Sequence, residues 1–525
     1  MKKELLLLLS FSLVLVVIGC KTEQKKRPNI IVIVTDDHAK NAISAFGSRM
    51  INTPNIDRIA KEGILFNNAF VTNALCGPSR AVILTGKYSH INGFKDNQST
   101  FDNRQMTFIK LLKEAGYYTS VVGKWHLVTE PTGFDYWNIL IDQGTYYNPD
   151  FVEMGDTTRK IGYTTDLVTD EALKVLEKQE GTQPFCLLLH HKAPHRNWMP
   201  NFKHFGLFDN DTIPLPETFF DDYSGRSDAA RQQDMEIVNM FRSDDMKLIL
   251  PAGSKDPGSG GGNGFDGAKI WASNYSRFTE EQKKLWDAYY KPISDAFYKN
   301  NLKGDDLKKW MYERYIKDYL ACVASVDENI GRVLGYLDEK KLADNTLIIY
   351  TSDQGFFLGE HGWYDKRFMY EESMGTPMVM RYPQRMPGGL TSHQLVLNLD
   401  IAPTILEAAG IDVPADMQGR SLLPLMGTTP PKEWRKSVYY HYYEFPYGWH
   451  NVKKHYGIRT DRYKLIHFYN DIDAWELYDL EQDPNELHNI YDKAGKALID
   501  SLKGELESLR NQYYDTLQLD TTINP

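Results

Sequence analysis

Residues able to do chemistry are concentrated in the segment Leu75-Cys76-Gly77-Pro78-Ser79-Arg80, which runs on into Ala81 to Gly86. Gly77 and Pro78 suit the first positions of a helix, because proline there gives up only an N–H that has no intrahelical partner. Cys76 is therefore expected at a helix N-terminus, where free backbone N–H groups and the positive end of the helix dipole favour an anion. Arg80, one turn on, adds a planar cationic fork. Alone, a cysteine before a helix is a small buried hydrophobe; acidic partners change that. Asp36-Asp37 follow the apolar run Asn29 to Val34, and Asp353-Gln354-Gly355 follow Thr346 to Tyr350. Ligand groups converge at the carboxyl ends of strands in an open α/β sheet. Three carboxylates and an amide oxygen make an all-oxygen site for a hard divalent cation. A lone Asp pair is more often a turn former, but two such clusters at equivalent strand ends point to a site.

The elements that must position these residues can be read from apolar runs. Strand-like runs occur at Asn29 to Val34, Tyr118 to Val122, Phe185 to His190, Thr346 to Tyr350 and Met378 to Arg381. Helical patterns alternate with them at Thr53 to Lys61, Thr107 to Ala115, Asp166 to Lys178, Tyr312 to Glu339 and Asp400 to Ala409. This alternation predicts an α/β domain over 29–430, with a large mixed, mostly parallel sheet sandwiched by helices. Between 199 and 302 the pattern loosens around a Gly-rich stretch, read as an insertion near the pocket. From 431 to 525 the texture changes to aromatic strands and one helix, a smaller C-terminal α+β domain with an antiparallel sheet.

The chain has 525 residues, 42% of them hydrophobic and 13% aromatic, enough to bury the cores of two packed domains. A net charge of −10 excludes a large cationic surface for nucleic acid, so an anionic substrate needs a local cationic pocket. Residues 1–19 have the layout of a signal peptide: Lys2 and Lys3, an apolar run from Leu5 to Ile18, then Gly19. Val17-Ile18-Gly19-Cys20 resembles a bacterial lipobox, which implies cleavage before Cys20, lipidation of its thiol and a tether over 20–28. The apolar run is shorter than the roughly 20 residues of a membrane span. The expectation is an exported lipoprotein held on a lipid bilayer, periplasmic or at the outer membrane or cell surface. Cys186 and Cys322 lie in apolar contexts and are read as buried free thiols.

Cys76-x-Pro78-x-Arg80, Asp36-Asp37, Gly123-Lys124-Trp125-His126, Ala193-Pro194-His195 and Asp353-Gln354-Gly355 resemble, in kind and in order, the type I sulfatases of the alkaline-phosphatase superfamily. The resemblance implies an alkaline-phosphatase-like fold. It implies that Cys76 is oxidised to formylglycine (3-oxoalanine) by a dedicated maturation enzyme, and that a hydroxyl of the hydrated aldehyde attacks sulfur. Carried over residue by residue, Asp36, Asp37, Asp353 and Gln354 bind calcium together with an oxygen of the modified Cys76. Gln354 stands where Asn or His is often found, and its amide oxygen still suits calcium. Arg80 would hold the hydrate and the helix start, Lys124 and His126 would hydrogen-bond the hydrate oxygens, and His195 and Lys366 would grip the sulfate. Sulfuryl transfer depends on positioning, charge neutralisation and protonation of the leaving alcohol. His195 is the candidate acid, with Lys366 the alternative. Read alone, Lys124-Trp125-His126 is a snorkelling lysine beside a hydrogen-bonded histidine, and Lys366-Arg367 a solvated basic pair.

Cys76 to Phe94 and His455 to Asp461 are similar to N-acetylglucosamine-6-sulfatases. That similarity implies exo-acting removal of 6-O-sulfate from N-acetylglucosamine in glycosaminoglycan or mucin-type glycans. Asp96, Asn97, His450 and His455 are the candidate sugar contacts, and Trp449 a candidate stacking surface. Three other readings stand beside this one: a sulfatase for another sugar position, a phosphonate or phosphodiester hydrolase of the same superfamily, and a non-catalytic glycan-binding lipoprotein in which Cys76 stays a thiol.

Overall fold

The computed structural model describes residues 27–179, 183–261, 264–429 and 431–516. The expected signal peptide and the lipid-bearing Cys20 lie outside the described residues. Among the described residues the main sheet has ten strands. Its centre is five parallel strands in the spatial order Thr346–Ser352, Asn29–Thr35, Phe185–His190, Tyr118–Lys124 and Tyr136–Leu140. Met378–Arg381, Ile64–Phe66 and Leu390–Ser392 extend one side and Asp150–Glu153 and Asp156–Arg159 the other, with antiparallel pairs on each side, so the sheet is mixed but mostly parallel as expected.

The central strands are apolar without a break because both faces are covered. Ile31, Ile33, Leu187 and Leu189 point into a core shared with Val168 and Ala172 of the Thr164–Lys178 helix and Ile316 and Leu320 of the Gly304–Glu339 helix. Their neighbours Ile30, Val32, Cys186 and Leu188 face the other way. There they meet Ala81 and Leu84 of the Cys76–Thr85 helix, Ile109 and Leu112 of Phe108–Glu114, and Ile405 of Ile401–Ala408. The period-two alternation of the strands divides the molecule into two helical layers. Cys186 and Cys322 are buried free thiols.

The segment 199–302 is more regular than its sequence texture suggests. It holds helices Gly267–Ser276 and Glu280–Asn300, the second closed by a capping box between Thr279 and Gln282. Trp286 and Tyr290, one turn apart, bury one stripe of that helix against Phe205 while most of its other residues face solvent. The Thr-x-x-Gln signal preceded a thin apolar stripe, and the nearby glycines masked it. The Gly304–Glu339 helix also starts two turns before the expected Tyr312, because its first turns are polar.

At the C-terminal end, Ser437–Tyr442, His455–Thr460, Tyr463–Phe468 and Ala474–Asp479 form an antiparallel sheet in sequence order. The Lys496–Gln512 helix lays Leu502, Leu506 and Leu509 on it. That core is continuous with Phe70, Val82, Phe368 and Met374 of the large domain.

Candidate active site

Thr35 and Ser352 are register partners on adjacent parallel strands, so the chain leaves the sheet twice at the same level. Asp36-Asp37 and Asp353-Gln354 meet there. The Asp37 N–H donates to Asp353 Oδ1 at 3.3 Å, and Gln354 Nε2 donates to Asp37 Oδ1 at 2.5 Å. Asp36, Asp37 and Asp353 each bring an oxygen within 4.8 Å of the others. Asp36 Oδ1 and Gln354 Oε1 are buried without a hydrogen-bond partner. Buried polar atoms are rarely left unpaired. Two orphaned oxygens among three buried carboxylates are a donor set that fits a hard divalent cation.

Three cationic side chains close around these acids. The Arg80 guanidinium, one turn into its helix, grips Asp353 Oδ2 through Nε at 2.9 Å and a terminal nitrogen at 2.8 Å, and donates to the Lys124 carbonyl at 3.0 Å. Its fork thus ties the Cys76–Thr85 helix to one of the clustered carboxylates. Lys124 Nζ pairs with Asp36 and with Gln143 Oε1. Lys366 Nζ reaches both oxygens of Asp37, at 2.7 and 2.8 Å; it is buried in the site and is not half of a solvated basic pair. Burial pushes Asp37 up to about 6 and Asp353 up to about 7, against the pull of Lys366 and Arg80. Asp36 is also raised by burial, but Lys124, His195, Arg80 and Lys366 outweigh this and hold it well below the carboxylate range.

Cys76 opens the Cys76–Thr85 helix, all ten residues of which are buried. Its sulfur lies within 4.8 Å of ligand atoms of Asp36 and His195, and Asn97 Nδ2 points at it from 3.8 Å. Burial raises the thiol pKa, so the unmodified side chain is not an activated thiolate. Two motif glycines make room for this seat. A Cβ on Gly77 would stand 2.6 Å from the Phe94 ring and 2.8 Å from Asn97 Oδ1; one on Gly123, at φ 102°, would stand 1.9 Å from the His190 carbonyl oxygen.

His195 donates through Nδ1 to the Arg196 carbonyl at 2.6 Å, which turns Nε2 toward Asp37 Oδ2, 3.8 Å away. His126 Nε2 accepts from Gln143 Nε2 at 3.0 Å. Burial lowers both imidazoles. Gln143 links Lys124 to His126 and had no signal in the sequence beyond being a polar residue after a strand. His190 supports from behind, its Nδ1 on the Lys124 carbonyl at 3.0 Å.

These groups open on a cavity of about 520 Å³. Cys76, His126, His195 and Lys366 line it, together with Phe241 and Asn274 of the 199–302 segment and Trp449 and His450 of the C-terminal part. Of the four sugar-contact candidates, two belong to it. Asn97 lines it beside Cys76, and His450 places Nε2 3.1 Å from Asp365 Oδ2. Asp96 does not line it: its Oδ1 accepts from the Gln98 N–H and the Ser99 hydroxyl, holding a turn. His455 is a core residue. Its Nδ1 donates to the Lys453 carbonyl at 2.7 Å, its Nε2 accepts from the Met369 N–H at 3.0 Å, and Phe368, Tyr440, Tyr442 and Phe468 surround the ring. It sits one strand residue from aromatic neighbours that cover it, which a linear reading cannot show. Trp449 is stacked on Phe265 at 3.8 Å. Asp365, Arg367 and Glu444 also line the cavity and were missed, although the first two flank Lys366.

The site can therefore hold a divalent cation, a group on Cys76 and a tetrahedral anion between Lys124, His195 and Lys366. Residues 28–411 match the sulfatase family model, and residues 359–512 match that of the N-sulphoglucosamine sulphohydrolase C-terminal region. The chain belongs to the sulfatase family. As a sulfatase it is a sulfuric ester hydrolase, and its fold and motif order agree with that membership. It is 51% identical over 501 residues to the N-acetylglucosamine-6-O-sulfatase of Bacteroides thetaiotaomicron, covering 94% of this chain and 88% of that one. A protein solved in complex with its substrate D-glucosamine-2-N,6-O-disulfate superposes with a TM-score of 0.89 at 50% identity, over 94% of this chain and all of that one. The phosphonate monoester hydrolase of Agrobacterium radiobacter, at 20% identity and a TM-score of 0.66 over 93% of this chain and 96% of that one, shares the fold.

Proposed function

We propose that this sulfatase removes 6-O-sulfate from glucosamine units, N-acetylated or N-sulfated, at the end of glycosaminoglycan or mucin-type chains. The observation that carries this reading is the 51% identity to an N-acetylglucosamine-6-O-sulfatase over 94% of the chain. A cavity of about 520 Å³ suits one or two sugar rings. The nucleophile is formylglycine made from Cys76 by a separate maturation enzyme, which supplies a hydrate hydroxyl where the buried thiol would be inert. Asp36, Asp37, Asp353 and Gln354 would hold calcium, which would supply positive charge to the site. Cys20 carries a lipid that anchors the exported enzyme to a bilayer.

The chain's own residues divide the remaining work. Arg80 fixes Asp353 to the start of the nucleophile helix, so metal ligand and nucleophile keep one spacing. Lys124 and Lys366, each tied to one acid of the pair Asp36-Asp37, present ammonium hydrogens to the sulfate from two sides. His195, locked by its bond to the Arg196 carbonyl, faces the leaving oxygen with Nε2, and Lys366 is the other side chain able to hand it a proton. His126, whose Nε2 accepts from Gln143, keeps its proton on Nδ1 and is left with an N–H to hydrogen-bond an oxygen of the nucleophile.

Purified, matured protein assayed on N-acetylglucosamine-6-sulfate, glucosamine-2-N,6-O-disulfate, sugars sulfated at positions 2, 3 and 4, and aryl phosphodiesters and phosphonates tests this reading. Release of sulfate from both 6-sulfated sugars, with at least about tenfold lower kcat/KM on the rest, is the expected result. Preference for another position or for phosphorus would overturn it.

A further inference from the structure

Four lysine and arginine side chains line the cavity: Lys192, Arg196, Lys366 and Arg367. Three are already committed to carboxylates. Arg196 makes a fork on Asp245 at 2.7 and 2.6 Å, Lys366 holds Asp37, and Arg367 pairs with Glu444 and with Asp365 at 3.2 Å. Lys192 has no carboxylate within 4.0 Å among the described residues. Its ammonium donates to the Arg196 carbonyl at 3.3 Å and lies 5.1 Å over the Tyr146 ring, and the residue is only 5% exposed. A buried ammonium with one carbonyl and one ring for close partners is costly unless an anion completes its shell. The place of this charge is fixed by the turn it starts: the His195 N–H donates to the Lys192 carbonyl at 3.0 Å, so Lys192 and His195 stand at the two ends of one tight turn. Lys192 lines the cavity together with Cys76, His195 and Lys366.

We propose that Lys192 is an oxyanion-binding residue of this cavity, contributing the one lysine or arginine charge in its described wall that forms no direct ion pair with a protein carboxylate. The ligand is a sulfate group. It is either the 6-O-sulfate undergoing transfer or a second sulfate on the same sugar, such as one on the glucosamine nitrogen. In both cases Lys192 touches substrate and sets affinity more than the rate of the bond-breaking step, because its contact exists before and after transfer. Its cost in isolation would also favour substrates that bring an anion to it.

The inference rests on the sulfatase reading for its choice of ligand, and the test separates the two. Wild type, Lys192→Arg, Lys192→Gln and Lys192→Met are compared by titration with inorganic sulfate, read as a thermal shift, and by kinetics on N-acetylglucosamine-6-sulfate and glucosamine-2-N,6-O-disulfate. Loss of a charge-assisted contact predicts about tenfold or greater rises in KM for the Gln and Met variants, with kcat within about threefold and recovery in the Arg variant. If the partner is the 6-O-sulfate, both substrates and inorganic sulfate weaken together. If it is the second sulfate, only the disulfated sugar does. Unchanged KM and sulfate affinity in the Gln and Met variants would overturn the proposal, as would a fall in kcat alone, or failure of both variants to fold while Lys192→Arg folds without sulfate binding. A wild-type protein that releases no sulfate from any ester contradicts the function; one that does, and is indifferent to Lys192, contradicts only this inference.

Discussion

At the scale of single residues, the decisive test concerns Cys76. Conversion of its thiol to the aldehyde lowers the mass of the peptide spanning it by about 18 Da, and a peptide recovered wholly as thiol from active protein would refute the nucleophile assigned here. Cys76→Ala is expected to lower kcat by about 10³-fold or more while leaving folding intact, since the nucleophile has no substitute. His195 and Lys366 are separated by leaving-group chemistry. The residue that protonates the alcohol should show a large loss, of about 10²-fold, on a sugar sulfate and a much smaller loss on a nitrophenyl sulfate, whose leaving group needs no proton. A pair of histidines offers a contrast. His450→Ala should raise KM, because His450 lines the cavity, and should also lower the melting temperature, because the buried ring pairs with Asp365 and packs on Tyr364. His455→Ala should cost about 2–4 kcal/mol of stability, by emptying a packed site and stranding the Met369 N–H and the Lys453 carbonyl. Thermal melts and initial rates on the two variants distinguish these outcomes.

At the scale of elements, the join between the two sheets depends on a buried ion cluster. Lys464, wholly buried on the Tyr463–Phe468 strand, sits 2.9 Å from Glu371 and 2.7 Å from Glu486, and Arg459 adds a contact to Glu371 at 3.3 Å. Removing one member of such a cluster leaves charge buried without compensation, so Lys464→Met is expected to destabilise by about 3–5 kcal/mol. Chemical denaturation measures this, while kcat/KM of the surviving folded fraction should stay near wild type. Much of the element pattern was legible. The continuous apolar runs of the central strands and the amphipathic helices between them announce a covered parallel sheet, because a strand buried on both faces cannot afford polar positions. The helices at 267–300 were less legible, since their apolar stripe is narrow and their packing partners, Phe205 among them, come from other loops.

At the scale of the whole molecule, one apolar cluster runs from Phe70 and Val82 of the large domain through Val438, Ile458 and Leu465 of the C-terminal sheet to Leu506 of the last helix. Two parts sharing a core are expected to unfold together, so calorimetry should show one dominant transition. Chelation offers a second whole-molecule test. A cation bound only by the folded form adds about 2.7 kcal/mol when present at a hundred times its Kd. Treatment with a calcium chelator should therefore lower the melting temperature by several degrees and abolish turnover, and added calcium should restore both.

The sequence by itself determined the chemistry-bearing residues and their order: Cys76 at a helix start, Arg80 one turn on, and acids after two strands. Those features depend on local rules, helix capping, strand patterning and the short reach of backbone geometry, which act within a few residues. Only the tertiary structure decided which side chains share a space. The Thr35–Ser352 register brings Asp36 and Asp353 together across more than three hundred residues. The same assembly turned His455 into a core histidine, left Asp96 holding a turn, and put Gln143, Asp365 and Lys192 in the wall of the cavity that Cys76 lines. Such contacts arise from long-range packing, and no spacing along the chain encodes them.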